Sequence, residues 1–188
     1  MPEQYVGVKF NYRNLGGLEL DSRLNSLVLE IQHALSKLPA SCIEGVSGNI
    51  SAKLQDGILI TSTGSRLHNL IAPKNFCKVT SKFSDERVHY YGTHIPSSET
   101  KMHLLIHEKR PDVRYCLHIH LPNIEKVQLL NRHPITKQYY PYGTTELAYE
   151  AMNALGSNDL VILKDHGIVV VGSDLQQIVE KVSNLCNI

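Results

Sequence analysis

Apolar residues recur at intervals of three and four in several stretches of the chain, which is the spacing of a helix with one buried face. The first stretch follows Asp21 or Ser22, either of which can cap a helix, and it stops at Pro39. The threonine pair at 144–145 and Asp174 are caps for two later stretches. The predicted helices cover residues 21–38, 99–109, 123–130, 144–155 and 174–185.

Short apolar runs between these helices predict β-strands. The dipeptide Asp56-Gly57 is typical of a β-hairpin turn and is predicted to join two of these strands. Residues 1–20 show no periodic spacing of apolar residues, and we expect them to form an extended or poorly ordered lead-in. The predicted strands cover residues 50–54, 58–61, 76–83, 88–91, 113–119, 160–163 and 168–171. Because hairpins and helices are interleaved without repeats or linkers, the sequence predicts one α/β domain over residues 1–188, with a mainly antiparallel central sheet flanked by helices.

Charge and composition exclude several classes of function. The chain has 188 residues, with 19 Lys and Arg against 18 Asp and Glu, so no broad positive charge favours nucleic acid. No apolar run approaches the ~20 residues of a membrane span, and Met1–Gln4 does not begin like a signal peptide. Neither G-x-G-x-x-G nor a Walker phosphate loop occurs. We therefore expect a cytoplasmic protein without nucleic-acid or membrane partners.

The cysteines indicate no redox or structural-zinc chemistry. No Cys-x-x-Cys pair occurs, which leaves a zinc ribbon and a thioredoxin-type site unsupported. Because no export signal is recognised, all four are expected to be reduced thiols, mostly in the core. They are Cys42, Cys77, Cys116 and Cys186.

Three histidines are candidate metal ligands. His118 and His120 are two positions apart in a predicted strand, so their side chains lie on the same face and can share a metal ion. His166 stands at the tip of an apolar hairpin and can be a third ligand, an arrangement typical of catalytic zinc. The alternatives are an exposed strand face for the pair and a solvent-facing turn for His166.

Three polar turns are candidates for an anion site. Pro96-Ser97-Ser98-Glu99 opens a helix, where hydroxyls and backbone N–H groups favour an anion such as phosphate. Gly48-Asn49 and Thr61-Ser62-Thr63-Gly64 offer further amide, hydroxyl and backbone donors. Glu99 can be a base or a fourth metal ligand, and His103, one turn later, can steer its carboxylate. The alternative is an ordinary capped helix with an acidic first turn.

Taken in order, these motifs resemble the class II aldolase/adducin family over roughly residues 22–185. The resemblance implies a three-layer αβα fold with a mainly antiparallel sheet, and a homotetramer with sites between neighbouring subunits. It also implies Zn²⁺, with Mn²⁺, Co²⁺ or Fe²⁺ as possible substitutes. The motifs are Gly48–Ser51, Ile60–Gly64, Pro96–Glu99 with His103, Pro111–Val113, His118–His120, Gly143–Leu147 and Asp165–Gly167.

The resemblance also implies roles for individual residues. The metal would be held by His118, His120 and His166, with Glu99 near it as the catalytic base. The substrate phosphate would be held by the set Asn49, Thr63, Gly64, Ser97 and Ser98. The implied activity is that of a lyase that reversibly cleaves a phosphorylated ketose to dihydroxyacetone phosphate, or a similar ketone, and an aldehyde.

The segment between His120 and Gly143 is shorter than in the family's sugar-phosphate aldolases, in which it carries a proton-donating tyrosine. Tyr139, Tyr140 and Tyr142 are the candidates here, and the first two are taken as catalytic. The alternatives within the family are a dehydratase acting on a methylthio-sugar phosphate, a decarboxylase, and a non-catalytic adducin-like module. A cupin is not supported, because the glycines that flank its metal motif are absent.

Overall fold

The computed structural model describes residues 6–43, 46, 48–130 and 132–188. Within these residues, the strands are β1 Asn11–Gly16, β2 Asn49–Leu54, β3 Gly57–Thr61, β4 Phe76–Val79, β5 Arg87–Tyr91, β6 Tyr115–Ile119, β7 Leu160–Leu163 and β8 Gly167–Gly172. The α-helices are α1 Ser22–Leu35, α2 Thr100–Lys109, α3 Ile124–Leu129, α4 Thr145–Leu155 and α5 Leu175–Cys186. Two short 3₁₀ turns cover Ala40–Cys42 and Leu67–Asn69.

The eight strands form one sheet in the order β1-β5-β4-β3-β2-β6-β8-β7. Six of the seven pairings are antiparallel, and only β1 and β5 run parallel. The predicted mainly antiparallel sheet is therefore confirmed. The predicted caps are also present, since the side chains of Asp21, Thr144 and Asp174 each accept hydrogen bonds from backbone N–H groups in the first turns of α1, α4 and α5.

Helices cover both faces of the sheet, which makes three layers. One core contains residues of α1 and α5 together with alternate residues of the central strands, such as Leu117 of β6. The other core contains residues of α2 and α4 together with the intervening strand residues, such as Cys116 of β6. Because side chains alternate along a strand, His118 lies on the same face as Cys116, towards α2 and α4. The αβα architecture is confirmed, and it places the candidate site between the sheet and α2.

The N-terminal segment differs from the expected lead-in. Residues 1–5 lie outside the described residues, but Asn11–Gly16 forms β1, which pairs in parallel with β5 at the edge of the sheet. All six residues of β1 are exposed. A strand with no buried face has no hydrophobic alternation, so the sequence carries no period from which to predict it.

Two of the four cysteines also differ from the prediction. Cys42 and Cys186, 144 residues apart, form a disulfide that joins the Ala40–Cys42 turn to the end of α5. Their spacing gives no sign of this pairing, because the fold alone brings the two segments together. Cys77 and Cys116 are free and buried, as expected, and burial raises the pKa of the Cys77 thiol to about 12.

Among the residues that the structure covers, no helix has both the length and the apolar character needed to span a bilayer.

Candidate metal and anion site

The first two candidate ligands come from the end of β6. His118 is fully buried and pairs with Val169 of β8, and His120 follows directly after the strand. Gly167 begins β8 so close to them that a Cβ atom there would lie 2.5 Å from the Ile119 carbonyl oxygen. Only glycine permits this approach, and the approach brings His166 beside the histidine pair.

The turn that carries His166 is fixed from outside the hairpin. Asp165 has a φ of 56°, in the left-handed region that non-glycine residues seldom adopt. The side-chain amide of Gln128, in α3, makes two hydrogen bonds to Asp165. Its Oε1 accepts from the Asp165 backbone N–H at 2.7 Å, and its Nε2 donates to Oδ1 of Asp165 at 3.0 Å. Gln128 was not among the residues singled out from the sequence.

The three imidazoles and Glu99 converge on one point. Nε2 of His120 lies 2.9 Å from Nε2 of His118 and 3.1 Å from Nε2 of His166. The Glu99 carboxylate approaches from α2, with Oε2 2.9 Å from Nε2 of His118 and Oε1 3.6 Å from Nε2 of His166. All four ligand atoms lie within 4.8 Å of one another.

This donor set fits a divalent metal ion. His118 Nδ1 lies 2.9 Å from the Ile168 carbonyl oxygen and must donate to it, so Nε2 of a neutral His118 presents a lone pair to the centre. Hydrogen bonds cannot satisfy all the contacts among the three Nε2 atoms. Each ring nitrogen either carries a proton and donates or carries a lone pair and accepts, so it cannot do both. A cation can satisfy them together, and Oε1 of Glu99 is buried without a hydrogen-bond partner among the described residues.

The electrostatics of the cluster favour the charge states that metal binding needs. Burial raises the pKa of the Glu99 carboxyl, but the neighbouring imidazoles of His118, His166 and His120 outweigh this effect and hold the pKa well below its usual range. Burial and the neighbouring His118 and His166 lower the pKa of His120 to about 3. Near neutral pH, an ionised carboxylate therefore faces a neutral His120.

The three polar turns predicted to form an anion site lie next to one another and next to the metal cluster. The Ser97 backbone N–H donates to the Thr61 carbonyl oxygen at 3.0 Å, and the Thr63 N–H donates to the Ile95 carbonyl oxygen at 2.9 Å. Asn49 Nδ2 donates to Oε2 of Glu99 at 2.9 Å, which links the Gly48-Asn49 turn to the metal cluster. The three segments are therefore neighbours in the fold, which a shared anion site requires.

Not every predicted donor is directed towards such an anion. The Ser97 N–H is already used by Thr61, and Ser97 Oγ accepts from the Glu99 N–H at 3.3 Å. Helix α2 begins at Thr100, so the two serines precede it, as predicted, whereas Glu99 is the N-cap and does not lie in the first turn. Thr63 and Ser98 are half-buried and Gly64 is exposed, which makes them the accessible members of the set.

The three candidate tyrosines have separate surroundings. The Tyr139 ring centroid lies 6.4 Å from that of His166, and the residue is 39% exposed. Tyr140 packs against the core formed by α2 and α4. The Tyr142 hydroxyl accepts from the Val6 N–H and donates to the Gly7 carbonyl oxygen, so it anchors the N-terminal segment. Of the three, Tyr139 is therefore best placed to reach a molecule at the metal cluster.

Comparison with known proteins agrees with this fold and these motifs. Residues 31–187 match the family described as the Class II Aldolase and Adducin N-terminal domain. Over 150 residues the chain is 29% identical to the L-fuculose phosphate aldolase of Escherichia coli O6:H1, covering 71% of this chain and 66% of that protein. Over 151 residues it is 28% identical to the 3-oxo-tetronate 4-phosphate decarboxylase of Haemophilus influenzae, covering 70% and 69%.

A solved structure of an L-fuculose 1-phosphate aldolase superposes with a TM-score of 0.69 at 23% identity, covering 89% of this chain and 85% of that chain. The three-layer fold is thus that of the class II aldolases. The chain belongs to the class II aldolase/adducin family, and its aligned part spans just under two thirds of the length of the fuculose phosphate aldolase.

Proposed function

We propose that the protein is a metal-dependent lyase that reversibly cleaves a phosphorylated ketose to dihydroxyacetone phosphate, or a similar ketone, and an aldehyde. The observation that carries this proposal is the meeting of three imidazole nitrogens and a buried carboxylate within 4.8 Å, beside three donor-rich turns. Two relatives support it, because the L-fuculose phosphate aldolase and the 3-oxo-tetronate 4-phosphate decarboxylase both act on phosphorylated substrates.

The metal site and its chemistry form the first part of the proposal. His118, His120 and His166 hold the ion, with Glu99 as a further ligand when no substrate is present. A bound divalent ion supplies positive charge beside the carbonyl at which negative charge develops during cleavage. Zn²⁺ is the first choice for three imidazoles, and Mn²⁺, Co²⁺ and Fe²⁺ are substitutes.

Glu99 moves the proton. Its Oε2 atom is held by Asn49 at 2.9 Å and contacts His118, whereas Oε1 has no hydrogen-bond partner among the described residues. We therefore assign proton transfer to Oε1, the oxygen that no hydrogen bond from a described residue occupies. Tyr139 is the candidate for the second proton, at the aldehyde oxygen, because its ring lies beside His166.

The phosphate group fixes the reacting end of the substrate. Ser98, Thr63 and Gly64 provide accessible donors, with Ser97 and Asn49 behind them. These groups carry no formal charge, so they hold the phosphate by hydrogen bonds. Holding the phosphate orients the substrate carbonyl towards the metal cluster. A homotetramer, which comes from the family resemblance, and a cytoplasmic location are part of the same proposal.

A decarboxylase of the same family is the second candidate, and the identity to the 3-oxo-tetronate 4-phosphate decarboxylase favours it. Both reactions leave negative charge beside a carbonyl, so the same ligands serve either one. They differ in the bond that breaks and therefore in their substrates.

The test combines synthesis with decarboxylation. Zinc-loaded protein is offered dihydroxyacetone phosphate with a panel of short aldehydes, and separately 3-oxo acid phosphates, and the products are followed by mass spectrometry and carbon dioxide release. We expect ketose phosphate from the first reaction and none from His166→Ala, while His33→Ala, which alters an exposed histidine on α1, retains activity. Carbon dioxide without ketose phosphate would favour the decarboxylase, and neither product would overturn the proposal.

A further inference from the structure

A line of buried polar side chains leads away from the metal cluster between β2 and α2. Asn49 Oδ1 lies 2.5 Å from His103 Nε2, and His103 Nδ1 lies 2.7 Å from the hydroxyl oxygen of Ser51. The same hydroxyl oxygen lies 2.8 Å from His107 Nε2. With the bond from Asn49 to Glu99, the line joins five side chains, and each of them is at most 6% exposed.

The sequence places these residues opposite one another by two simple periods. Asn49 and Ser51 are two positions apart on β2 and share one face of the strand. His103 and His107 are four positions apart on α2 and share one face of the helix. At the far end, Lys53 Nζ donates to the His107 carbonyl oxygen at 2.9 Å.

The direction of every hydrogen bond in the line follows from the Glu99 carboxylate. An ionised carboxylate can only accept, so the amide nitrogen of Asn49 must face Glu99, and the amide oxygen must face His103. His103 Nε2 therefore carries the proton. A neutral His103 then accepts at Nδ1, so the Ser51 hydroxyl donates to it and accepts in turn from His107 Nε2.

The environment of the two histidines agrees with this pattern. Burial, reinforced by the neighbouring His107, lowers the pKa of His103 to about 3. Burial and the charge of Lys53 lower the pKa of His107 to about 4. A neutral imidazole offers one donor and one acceptor, and the position of His103 requires both. The line uses only the donor of His107, whose Nδ1 is buried without a hydrogen-bond partner among the described residues.

We infer that His103, Ser51 and His107 are positioning residues, which fix the orientation of the Asn49 amide and through it hold Oε2 of Glu99, so that Oε1 is presented to the substrate. The sequence motifs include Ser51 and single out His103, but they give no role to Ser51 and do not include His107. The kinetic part of this inference rests on the proposed function, and the structural part does not. An Asn49 side chain whose amide oxygen has lost its partner is held less tightly, and a shift of its nitrogen away from Oε2 would displace the base.

The first test measures hydrogen positions in the zinc-loaded protein. Nitrogen-15 spectra of its histidine side chains report which ring nitrogen carries the proton. We expect His103 and His107 both to be protonated at Nε2 and bare at Nδ1. A proton on Nδ1 of His103 would overturn the inference, and this outcome does not depend on any substrate or on the folding of a variant.

The second test removes the central hydroxyl with Ser51→Ala, with Ser81→Ala as the matched control. Ser81 is also buried and also makes two hydrogen bonds, to the backbone of Arg87 and His89 in β5, which lies three strands away from β2 in the sheet. We expect Ser51→Ala to shift the side-chain amide signals of Asn49 and to lower kcat about 10-fold or more with KM and zinc content nearly unchanged. Ser81→Ala leaves all four quantities as they are.

Equal kcat values and unshifted Asn49 amide signals in Ser51→Ala would overturn the positioning role. If no substrate is turned over at all, the proposed function fails, while the Asn49 signals and the histidine tautomers still decide the structural inference.

Discussion

The substitution Glu99→Gln tests the role of Glu99 as a base without removing the three histidines that bind the metal. Glutamine has the shape of glutamate, and its side-chain oxygen can still accept from Asn49 Nδ2, which lies 2.9 Å from Oε2 in the native protein. The amide nitrogen then takes the position of Oε1 and cannot accept a proton. The three histidines are unchanged, so we expect metal content and phosphate binding to be largely retained.

The expected loss follows from the role of Oε1. A positioned base contributes at least ~10²-fold to the rate, which is about 2.7 kcal/mol of activation free energy. Burial of Glu99 at 3% exposure keeps water from replacing the base, so we expect turnover to fall by ~10²-fold or more. His166→Ala should differ in kind, because it loses metal and activity together.

The assay is steady-state turnover of an identified ketose phosphate, with zinc measured in the same samples by elemental analysis. Near-normal turnover in Glu99→Gln with normal zinc would refute the assignment of the base. Tyr139 would then be the next candidate, because its ring lies beside His166.

Three further predictions concern the framework of the site. Gln128→Ala should weaken zinc binding about 10- to 100-fold in a competition titration, since Gln128 holds the turn of His166, whereas Gln177→Ala on the exposed side of α5 should not. Gly167→Ala should lower the melting temperature and the zinc content, because its Cβ would lie 2.5 Å from a carbonyl oxygen, whereas Gly172→Ala meets its nearest atom at 3.6 Å and should be tolerated. Cys42→Ser should lower the free energy of unfolding in denaturant by about 2–5 kcal/mol, and no loss without reductant would contradict the disulfide.

The helices could be predicted from the period of a buried face, and most strands from short apolar runs, three of which are buried on both faces. The period of α1, the cap at Thr144 and the alternation around His118 are all local properties of the chain, and the structure bears them out. Strand β1 could not be predicted, because it is held at the sheet edge by backbone hydrogen bonds and buries no side-chain stripe.

Some features of the candidate site could likewise be predicted from the sequence, and others could not. The pair His118 and His120 is visible from a two-residue period, whereas the approach of His166 depends on the pairing of β6 with β8 across 46 residues. Ser51 and His107 lie on different elements and carry no local pattern, so only the packing of α2 on β2 reveals them. Interactions between distant segments are thus the part that required the structure.

The claim on which the rest depends is that one divalent ion lies among the three histidines. An anomalous-scattering measurement at the zinc edge, on crystals of zinc-loaded protein, tests it directly. We expect a single strong peak per chain at roughly 2.0–2.2 Å from Nε2 of His118, His120 and His166. The absence of a peak there, or any of the three imidazoles pointing away from it, would contradict the account.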